Sequence, residues 1–202
     1  MIKNLFFDLG QVLLLQNNIE VDVYLSRIFK TSLKSSTEFY SKYRRDLVIG
    51  NISSKELLEK YKTLTGDVRS VEKLLLHYCN SYLKDFIGVN NDLLKRVDRL
   101  KKTYGVYIFT NTIDCHDDEA KKLGIYNHFA HVFKSYTDHI FKPEKESYLY
   151  CLNKINALPA ECIFIDDLFI NIKGAESAGL KGILYQNNTS LMNDLLKLGV
   201  KT

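Results

Sequence analysis

Hydrophobic positions along the chain form short continuous apolar runs separated by segments in which apolar residues recur with helical spacing. The first run covers residues 3–7 and reaches the carboxylate of Asp8. Similar short apolar runs follow at residues 106–109, 131–133, 162–165 and 182–185. Helical spacing marks the segments 92–102, 119–123, 143–157, the residues before Ala178 and the last dozen residues. Strands that alternate with helices predict an α/β fold, a parallel sheet covered by helices on both faces.

Residues from about 19 to 85 have a different pattern, with helical spacing, no proline and no strand-like run. One apolar helix face is formed by Leu57, Leu58, Tyr61 and Leu64. Ser53 and Glu56 precede that face with the spacing of a capping box. Four helices without strands predict a small all-helical cap inserted after the first strand. The predicted domains are 1–16 and 88–202 for the α/β core and 17–87 for the cap.

Composition and charge exclude several function classes. The 202 residues are 46% hydrophobic and 26% charged, which is typical of a soluble globular domain. The net charge of +4 is spread along the chain, so we expect no nucleic-acid partner. No apolar run approaches the roughly 18 residues of a membrane span, and no secretory leader is recognisable. The four cysteines are scattered without a metal-binding pair. We therefore expect a cytoplasmic protein with reduced thiols.

Polar residues stand where three of the predicted strands end. They are Asp8, Thr110 with Asn111, and Asp166 with Asp167, and Lys142 lies at the start of a predicted helix. Open α/β sheets bind their ligands at the carboxyl ends of the strands. Grouped carboxylates repel one another, and Mg²⁺ suits such an oxygen site. A hydroxyl and an ammonium are suitable donors to a phosphate group. Each residue alone is a weak signal, but the ordered set is specific.

The same residues resemble the motifs of the haloacid dehalogenase superfamily of aspartate-nucleophile phosphohydrolases, over nearly the whole chain. The motifs are residues 6–13 around Asp8, residues 107–112 around Thr110, Lys142 with Pro143, and residues 163–167 with Asn171. The resemblance implies a Rossmann-like sheet and a helical cap of the family's smaller type. The sequence Asp8-Leu9-Gly10 and His116, six residues after Thr110, look closest to the sugar-phosphate phosphatase branch.

The resemblance also implies the role of each acidic residue. Asp8 attacks phosphorus and forms an aspartyl phosphate, which water then hydrolyses. Mg²⁺ is bound by Asp8, by the backbone carbonyl of Gly10 and by Asp167. Asp166 binds a water on the ion or helps to place it. The expected cofactor is therefore Mg²⁺, and the expected partner is a small phosphorylated metabolite.

Phosphate binding is assigned by the same resemblance to residues from two further motifs. Thr110 and Lys142 hold the transferring phosphoryl oxygens, and the backbone N–H of Asn111 assists. We include His116 among the candidate substrate-binding residues because its loop follows Thr110. The catalytic set that we predict is Asp8, Thr110, Lys142 and Asp167.

Gly10 is a departure from the family pattern, because most phosphatases of the superfamily carry there an aspartate that protonates the leaving group. General acid–base catalysis is typically worth about 10²–10⁴-fold in rate. Three interpretations follow. Asp114 or His116 supplies the proton, or the substrate has a good leaving group such as an anomeric sugar phosphate, or the domain binds its ligand with little turnover.

The leading hypothesis is a Mg²⁺-dependent phosphomonoesterase for a small metabolite. A non-catalytic domain that binds a phosphorylated ligand is an alternative from a different class. A second alternative is hydrolysis of a carbon–halogen bond through an aspartyl ester. That reaction needs no Mg²⁺, so the pair Asp166 and Asp167 argues against it.

Overall fold

The structure, a computed structural model, describes residues 1–17 and 19–201. Its strands are β1 (Asn4–Phe7), β2 (Leu14–Gln16), β3 (Phe86–Val89), β4 (Gly105–Thr110), β5 (His131–Lys134), β6 (Cys162–Asp166) and β7 (Lys181–Leu184). Five of them pair in parallel, in the order β5-β4-β1-β6-β7. The chain therefore has the predicted α/β fold, with β1 at the centre of its sheet.

Helices alternate with the strands along most of the chain. They are α1 (Val21–Phe29), α2 (Leu33–Val48), α3 (Ser54–Thr65), α4 (Val71–Lys84), α5 (Asn91–Leu100), α6 (Asp114–Lys122), α7 (Ser135–Asp138), α8 (Lys145–Lys154), α9 (Phe169–Ser177) and α10 (Asn188–Lys197). Short 3₁₀ helices occupy Ile125–His128 and Pro159–Glu161.

Alternating side chains of β1 point to opposite faces of the sheet, as the period of two in a strand requires. Leu5 and Phe7 join one buried cluster, to which α5 and α10 contribute. Phe6 joins the other cluster, to which α8 and α9 contribute. Because both faces are buried, the strands read in sequence as continuous apolar runs rather than alternating ones.

Helices α1 to α4 pack around a buried cluster of their own, and we call residues 21–84 the cap helices. The largest fully buried side chains of this cluster are Tyr24, Tyr61 and Tyr78. The capping box of Ser53 and Glu56 is present at the start of α3. The prediction for Leu64 is wrong, because its side chain is 64% exposed. It lies in the last turn of α3, at the edge of the buried face.

Strands β2 and β3 form an antiparallel pair that joins the cap helices to the sheet. The sequence pattern does not predict this pair, because strands of three and four residues that lie far apart in the chain leave little periodic signal. The predicted domain boundary after residue 87 falls inside β3, and the boundary after residue 16 follows β2. Among the described residues, none of the helices has the length and apolar character needed to span a membrane.

Candidate active site

Three adjacent strand ends meet at one edge of the sheet. Asp8 directly follows β1, while Thr110 ends β4 on one side and Asp166 ends β6 on the other. The backbone N–H of Asp8 donates a 2.8 Å hydrogen bond to the carbonyl of Ile165. From β1 the chain continues to β4 and β5 on one side of β1 and then returns to β6 and β7 on its other side. The strand order therefore reverses beside β1, which is where open α/β sheets bind ligands.

Lys142 is buried between two of these carboxylates. Its Nζ lies 2.7 Å from Oδ1 of Asp8 and 2.7 Å from Oδ2 of Asp166. The ammonium also lies over the rings of Phe109 and Phe164, at 5.5 Å and 5.3 Å from their centroids. Burial opposes the charged ammonium, but the carboxylates of Asp166 and Asp8 raise the pKa of Lys142 above its usual range. Lys142 is therefore a fixed positive charge in this site.

Asn111 holds the backbone of Lys142 in place. Its Nδ2 donates to the Lys142 carbonyl and its Oδ1 accepts from the Lys142 N–H, both at 2.9 Å. Asn111 comes directly after β4, so this pair of hydrogen bonds ties the loop of Lys142 to a strand end. The sequence prediction gave Asn111 only a backbone role, and its side-chain role was missed.

Asp166 is fully buried and accepts hydrogen bonds at both oxygens. The N–H of Leu168 donates to Oδ1 at 2.8 Å, and Nδ2 of Asn171 lies 3.0 Å from each oxygen. With Lys142 on Oδ2, these donors satisfy a carboxylate that would otherwise be costly to bury. Asn171 belonged to the sequence motif but had no assigned role, and the structure places it as the support of Asp166.

Asp8, Asp166 and Asp167 bring three carboxylate oxygens to within 4.8 Å of one another. The pKa of Asp167 is raised by burial and by the neighbouring charge of Asp166. Burial also raises the pKa of Asp8, opposed by the charge of Lys142. A hard divalent cation relieves repulsion between such oxygens, and Mg²⁺ is commonly held by one or two carboxylates. This donor set therefore fits Mg²⁺.

The carboxylate of Asp8 faces a cavity of about 370 Å³. The cavity is lined by Asp8, Gly10, Arg44, Thr110, Asn111, Phe141, Lys142, Pro143, Leu168, Ile170 and Asn171. Of the predicted site residues, it brings together Asp8, Gly10, Thr110, Asn111 and Lys142. Asp166 and Asp167 do not line this cavity, but their carboxylates lie beside that of Asp8.

A second cavity, of about 210 Å³, lies between the cap helices and the sheet edge. It shares Arg44, Asn111 and Phe141 with the cavity of Asp8, so the two adjoin. Arg44 comes from α2, and its guanidinium lies 5.5 Å from the centroid of the Phe141 ring. A helical residue of this kind carries no motif that sequence reasoning could recognise.

His116 lines this second cavity and not that of Asp8. Its ring stacks on Tyr82 with centroids 3.7 Å apart, and its Nε2 forms a 3.2 Å hydrogen bond with the hydroxyl of Tyr78. Burial lowers the pKa of His116 to about 3. The imidazole is therefore neutral at pH 7, and its remaining N–H is too weakly acidic to protonate a leaving group.

Asp114, the other candidate acid, lies at the start of α6 and binds the start of α3. The N–H of Ser54 donates to its two oxygens at 3.2 and 3.3 Å, and the Ser54 hydroxyl also donates to it. Asp114 is absent from the lining of the Asp8 cavity. Neither Asp114 nor His116 therefore lines the cavity that Asp8 faces.

Curated relatives match parts of this chain, among them two hydrolases. Flavin mononucleotide hydrolase 1 of Arabidopsis thaliana is 32% identical over 97 residues, which cover 48% of this chain and 40% of that protein. Bifunctional epoxide hydrolase 2 of Mus musculus is 29% identical over 117 residues, covering 55% of this chain and 21% of that protein. The match thus spans less than half the length of either relative.

Solved structures match over almost the whole chain. A HAD family enzyme from Bacteroides thetaiotaomicron is 23% identical, with a TM-score of 0.80 over 95% of this chain and 98% of that one. The same enzyme in complex with magnesium and inorganic phosphate gives a TM-score of 0.73 at 22% identity, over 95% of this chain and 99% of that one. The identity is low, so these matches establish the fold.

A family model decides the assignment. The model of the haloacid dehalogenase-like hydrolases matches residues 2–179, a range that includes both cavities and the carboxylate cluster. It agrees with the five-stranded parallel sheet and with the fold of the solved relatives. This chain therefore belongs to the haloacid dehalogenase-like hydrolase family.

Proposed function

We propose that the chain is a Mg²⁺-dependent phosphomonoesterase that uses Asp8 as its nucleophile on a small phosphorylated metabolite. The observation that carries the proposal is Lys142, held 2.7 Å from both Asp8 and Asp166 at the edge of a cavity. An ammonium fixed beside a nucleophilic carboxylate can bind the oxygens of a phosphoryl group. It can thereby hold the phosphorus atom in line with the attacking carboxylate oxygen. Positioning and charge neutralisation supply most of the catalysis in phosphoryl transfer.

In this proposal an oxygen of Asp8 attacks phosphorus, the ester oxygen leaves, and an aspartyl phosphate forms. Lys142 and the hydroxyl of Thr110 hold the phosphoryl oxygens during transfer, with the backbone N–H of Asn111 beside them. Water then attacks phosphorus and releases inorganic phosphate and free Asp8.

Asp8, Asp167 and the backbone carbonyl of Gly10 would hold Mg²⁺, with Asp166 behind them. The bound ion would neutralise the carboxylates and the phosphate oxygens that gather there. Two observations support this assignment, the three carboxylate oxygens within 4.8 Å and the Bacteroides thetaiotaomicron relative in complex with magnesium and phosphate. The same carboxylate oxygens argue against carbon–halogen hydrolysis, because that reaction needs no Mg²⁺ and therefore no cluster of carboxylates to bind it.

In this proposal the leaving group occupies the second cavity, because the second cavity adjoins the cavity of Asp8. Its lining combines a cation, a carboxylate, a phenol and an amide, from Arg44, Glu20, Tyr40 and Gln16. Donors and acceptors mixed in this way suit a small hydroxyl-rich group, and a volume of about 210 Å³ excludes a large one. A sugar phosphate meets both conditions. We also propose that the cap, residues 17–87, excludes water by closing over it.

Gly10 determines which esters are cleaved well. With no acid at this position, and with His116 neutral and Asp114 bound to α3, the leaving oxygen receives little help from protonation. We therefore propose that anomeric sugar phosphates and aryl phosphates, whose leaving groups need less protonation, are cleaved faster than alkyl phosphates.

Phosphate release from a panel of esters tests the proposal. The panel contains p-nitrophenyl phosphate, a sugar 1-phosphate, a sugar 6-phosphate and flavin mononucleotide, each with Mg²⁺ and with a chelator. We expect Mg²⁺-dependent release, faster from the first two. Asp167→Asn should need a higher Mg²⁺ concentration for the same rate. No release from any ester, together with measurable binding of inorganic phosphate, would instead establish a binding domain. Mg²⁺-independent chloride release from chloroacetate would establish a dehalogenase.

A further inference from the structure

Two side chains with a permanent positive charge line the adjoining cavities, Lys142 and Arg44. Lys142 is held between two carboxylates, at 2.7 Å from each. Arg44 differs, because no ion pair within residues 1–17 and 19–201 includes its guanidinium, whereas the neighbouring Arg45 pairs with Glu144 at 2.9 Å. Arg44 therefore brings a positive charge without a counter-charge to the proposed substrate space.

The ring of Phe141 determines where this charge lies. The guanidinium of Arg44 lies over that ring, 5.5 Å from its centroid. A cation–π contact restrains the side chain, but it supplies no oxygen acceptor for the N–H donors of the guanidinium. Arg44 is also an exposed residue, so a ligand can reach these donors.

Arg44 lies where the two cavities join. Of the described residues, Arg44, Asn111 and Phe141 line both cavities, and Arg44 is the charged one. A leaving group that extends from a phosphate beside Asp8 into the second cavity therefore passes the guanidinium. Tyr40, one helical turn before Arg44 on α2, also lines the second cavity and shares this side of the helix.

The other polar side chains of the second cavity suit hydroxyl groups. Glu20 and Gln16 have oxygens that accept hydrogen bonds from sugar hydroxyls, and the phenol of Tyr40 can donate or accept. A guanidinium can only donate, and it carries a full charge. A neutral sugar would satisfy Glu20, Gln16 and Tyr40 but would leave the charge of Arg44 unmatched.

We propose that Arg44 is a specificity-determining residue, which binds a second anionic group on the leaving group of the substrate, a carboxylate or a further phosphate. The inference rests on the proposed phosphatase function and narrows its substrate class to phosphorylated sugars that carry a second negative charge. The planar guanidinium suits this role, because its N–H donors match two oxygens of a carboxylate or a phosphate in parallel hydrogen bonds.

Matched esters test the proposal through the kinetics of hydrolysis. Three substrates have the same anomeric phosphate and differ at carbon 6: glucose 1-phosphate is neutral there, glucuronic acid 1-phosphate carries a carboxylate, and glucose 1,6-bisphosphate carries a phosphate. We expect wild type to cleave the anomeric phosphate of one charged ester with a kcat/KM about tenfold above that of the neutral ester. The better of the two charged esters identifies the anion. Equal kcat/KM values for all three esters would overturn the proposal.

Substitution of Arg44 should remove this preference. Arg44→Met should lower kcat/KM for the preferred charged ester about 10–100-fold, mainly through KM, and should change the neutral ester far less. Arg44→Lys should recover part of the loss, because it restores the charge without the paired donors. An equal loss on the neutral ester would place Arg44 on the transferred phosphate and would overturn the proposal.

Lys42→Met is the matched control. Lys42 is an exposed cation on the same helix, lines neither cavity, and lies two positions before Arg44, on a different side of α2. Its loss removes the same charge and should keep all three kcat/KM values within about twofold of wild type, because salt screens exposed charges. A loss as large as that of Arg44→Met would show a general electrostatic attraction and overturn the role of Arg44.

Equilibrium binding decides the inference separately from turnover. Asp8→Asn, alone and combined with Arg44→Met, is titrated by calorimetry with the same three esters in Mg²⁺. We expect the second substitution to raise the Kd of the charged ester about 10–100-fold and that of the neutral ester little. If no form of the protein hydrolyses any ester, the phosphatase function fails, while this difference in Kd still supports the role of Arg44. Equal Kd values for all three esters, or no binding of any, would overturn the inference even where phosphate is released.

Discussion

Among single residues, Gly10 has the clearest chemical consequence. It lies two residues after Asp8 and lines the same cavity. A Cβ built at this position meets no atom within 4 Å. The φ angle of Gly10 does not lie in the positive range that strains residues other than glycine. Nothing in the local backbone therefore demands glycine. In the proposed mechanism this glycine leaves the leaving oxygen without a proton donor, and it brings no compensating gain in packing.

Gly10→Asp should therefore raise the rate on poor leaving groups. We expect alkyl phosphates to be hydrolysed about 10–100-fold faster, because a carboxyl now lies where the leaving oxygen needs a proton. p-Nitrophenyl phosphate should change far less. The matched control is Gly10→Asn, which has the same shape and no acidic proton. If the asparagine variant accelerates alkyl phosphates equally, protonation is not the step that Gly10 limits.

Lys142 is the second residue whose removal has a definite consequence. In Lys142→Met the carboxylates of Asp8 and Asp166 lose the ammonium 2.7 Å from each and repel one another. Breaking a buried pair in this way costs about 3–5 kcal/mol of unfolding free energy. Urea denaturation of the variant and the wild type, in the presence of a chelator at pH 8, measures the loss.

The loss in Lys142→Met should depend on pH. The folded pKa of Asp8 is already raised above its ordinary value of 3.8, and loss of the lysine raises it further. Because its pKa is raised, Asp8 keeps its proton to a higher pH in the folded state than in the unfolded state. Its protonated form therefore stabilises the folded state at low pH, and this stabilisation is lost as the pH rises through the folded pKa. The variant should therefore be closest to wild type near pH 5 and furthest from it at pH 8. An equal loss at both pH values would contradict a charge-based cause.

At the scale of elements, the end of α2 is held to the loop of Lys142 by several contacts. Arg45 pairs with Glu144, with Nη2 2.9 Å from each carboxylate oxygen. Nδ1 of His139 hydrogen-bonds to the carbonyl of Ile49 at 2.8 Å. Gly50 follows directly, with φ of +75°, and packs on the backbone of Tyr136 in α7. The end of α2 thus packs on the segment that leads to Lys142 and Glu144.

Gly50→Ala should weaken the packing of the end of α2 on α7 and lower the free energy of unfolding. Gly66→Ala is its control. Both glycines have positive φ, which costs an alanine about 1–2 kcal/mol. At Gly50 the added Cβ would also overlap the carbonyl oxygen of Tyr136, whereas at Gly66 it meets nothing within 4 Å. We expect unfolding losses of about 2–4 kcal/mol for Gly50→Ala and about 1–2 kcal/mol for Gly66→Ala. Equal losses in urea denaturation would show that the contact with Tyr136 adds nothing.

Elements with a strong periodic signal could be predicted from the sequence, and those without one could not. Continuous apolar runs predicted β1, β4 and β6, because both faces of these strands are buried. The capping box predicted the start of α3 at its true residue. The pair β2 and β3 could not be predicted, since its partners Leu14 and Val89 lie 75 positions apart in the chain. Leu64 fitted the spacing of its helix but lies beyond the packed part of its face.

For the whole molecule, the strand order determines the site. Placing β1 between β4 and β6 brings Asp8, Thr110 and Asp166 to one edge, although they are far apart in the chain. The sequence motifs predicted this convergence. They could not predict that Lys142 lies between two carboxylates, that Asn171 supports Asp166, or that Arg44 reaches both cavities. Those contacts depend on loop and helix placement, which hydrophobic pattern does not encode.

Transfer of a phosphoryl group to Asp8 tests the central claim most directly. Wild-type protein with Mg²⁺ and p-nitrophenyl phosphate is quenched in acid during turnover and digested, and the peptide that contains Asp8 is examined by mass spectrometry. The proposed mechanism predicts one phosphoryl group on Asp8, absent without Mg²⁺ and absent in Asp8→Asn, which should also release no phosphate. Phosphate release that persists in Asp8→Asn at the wild-type rate would contradict the account.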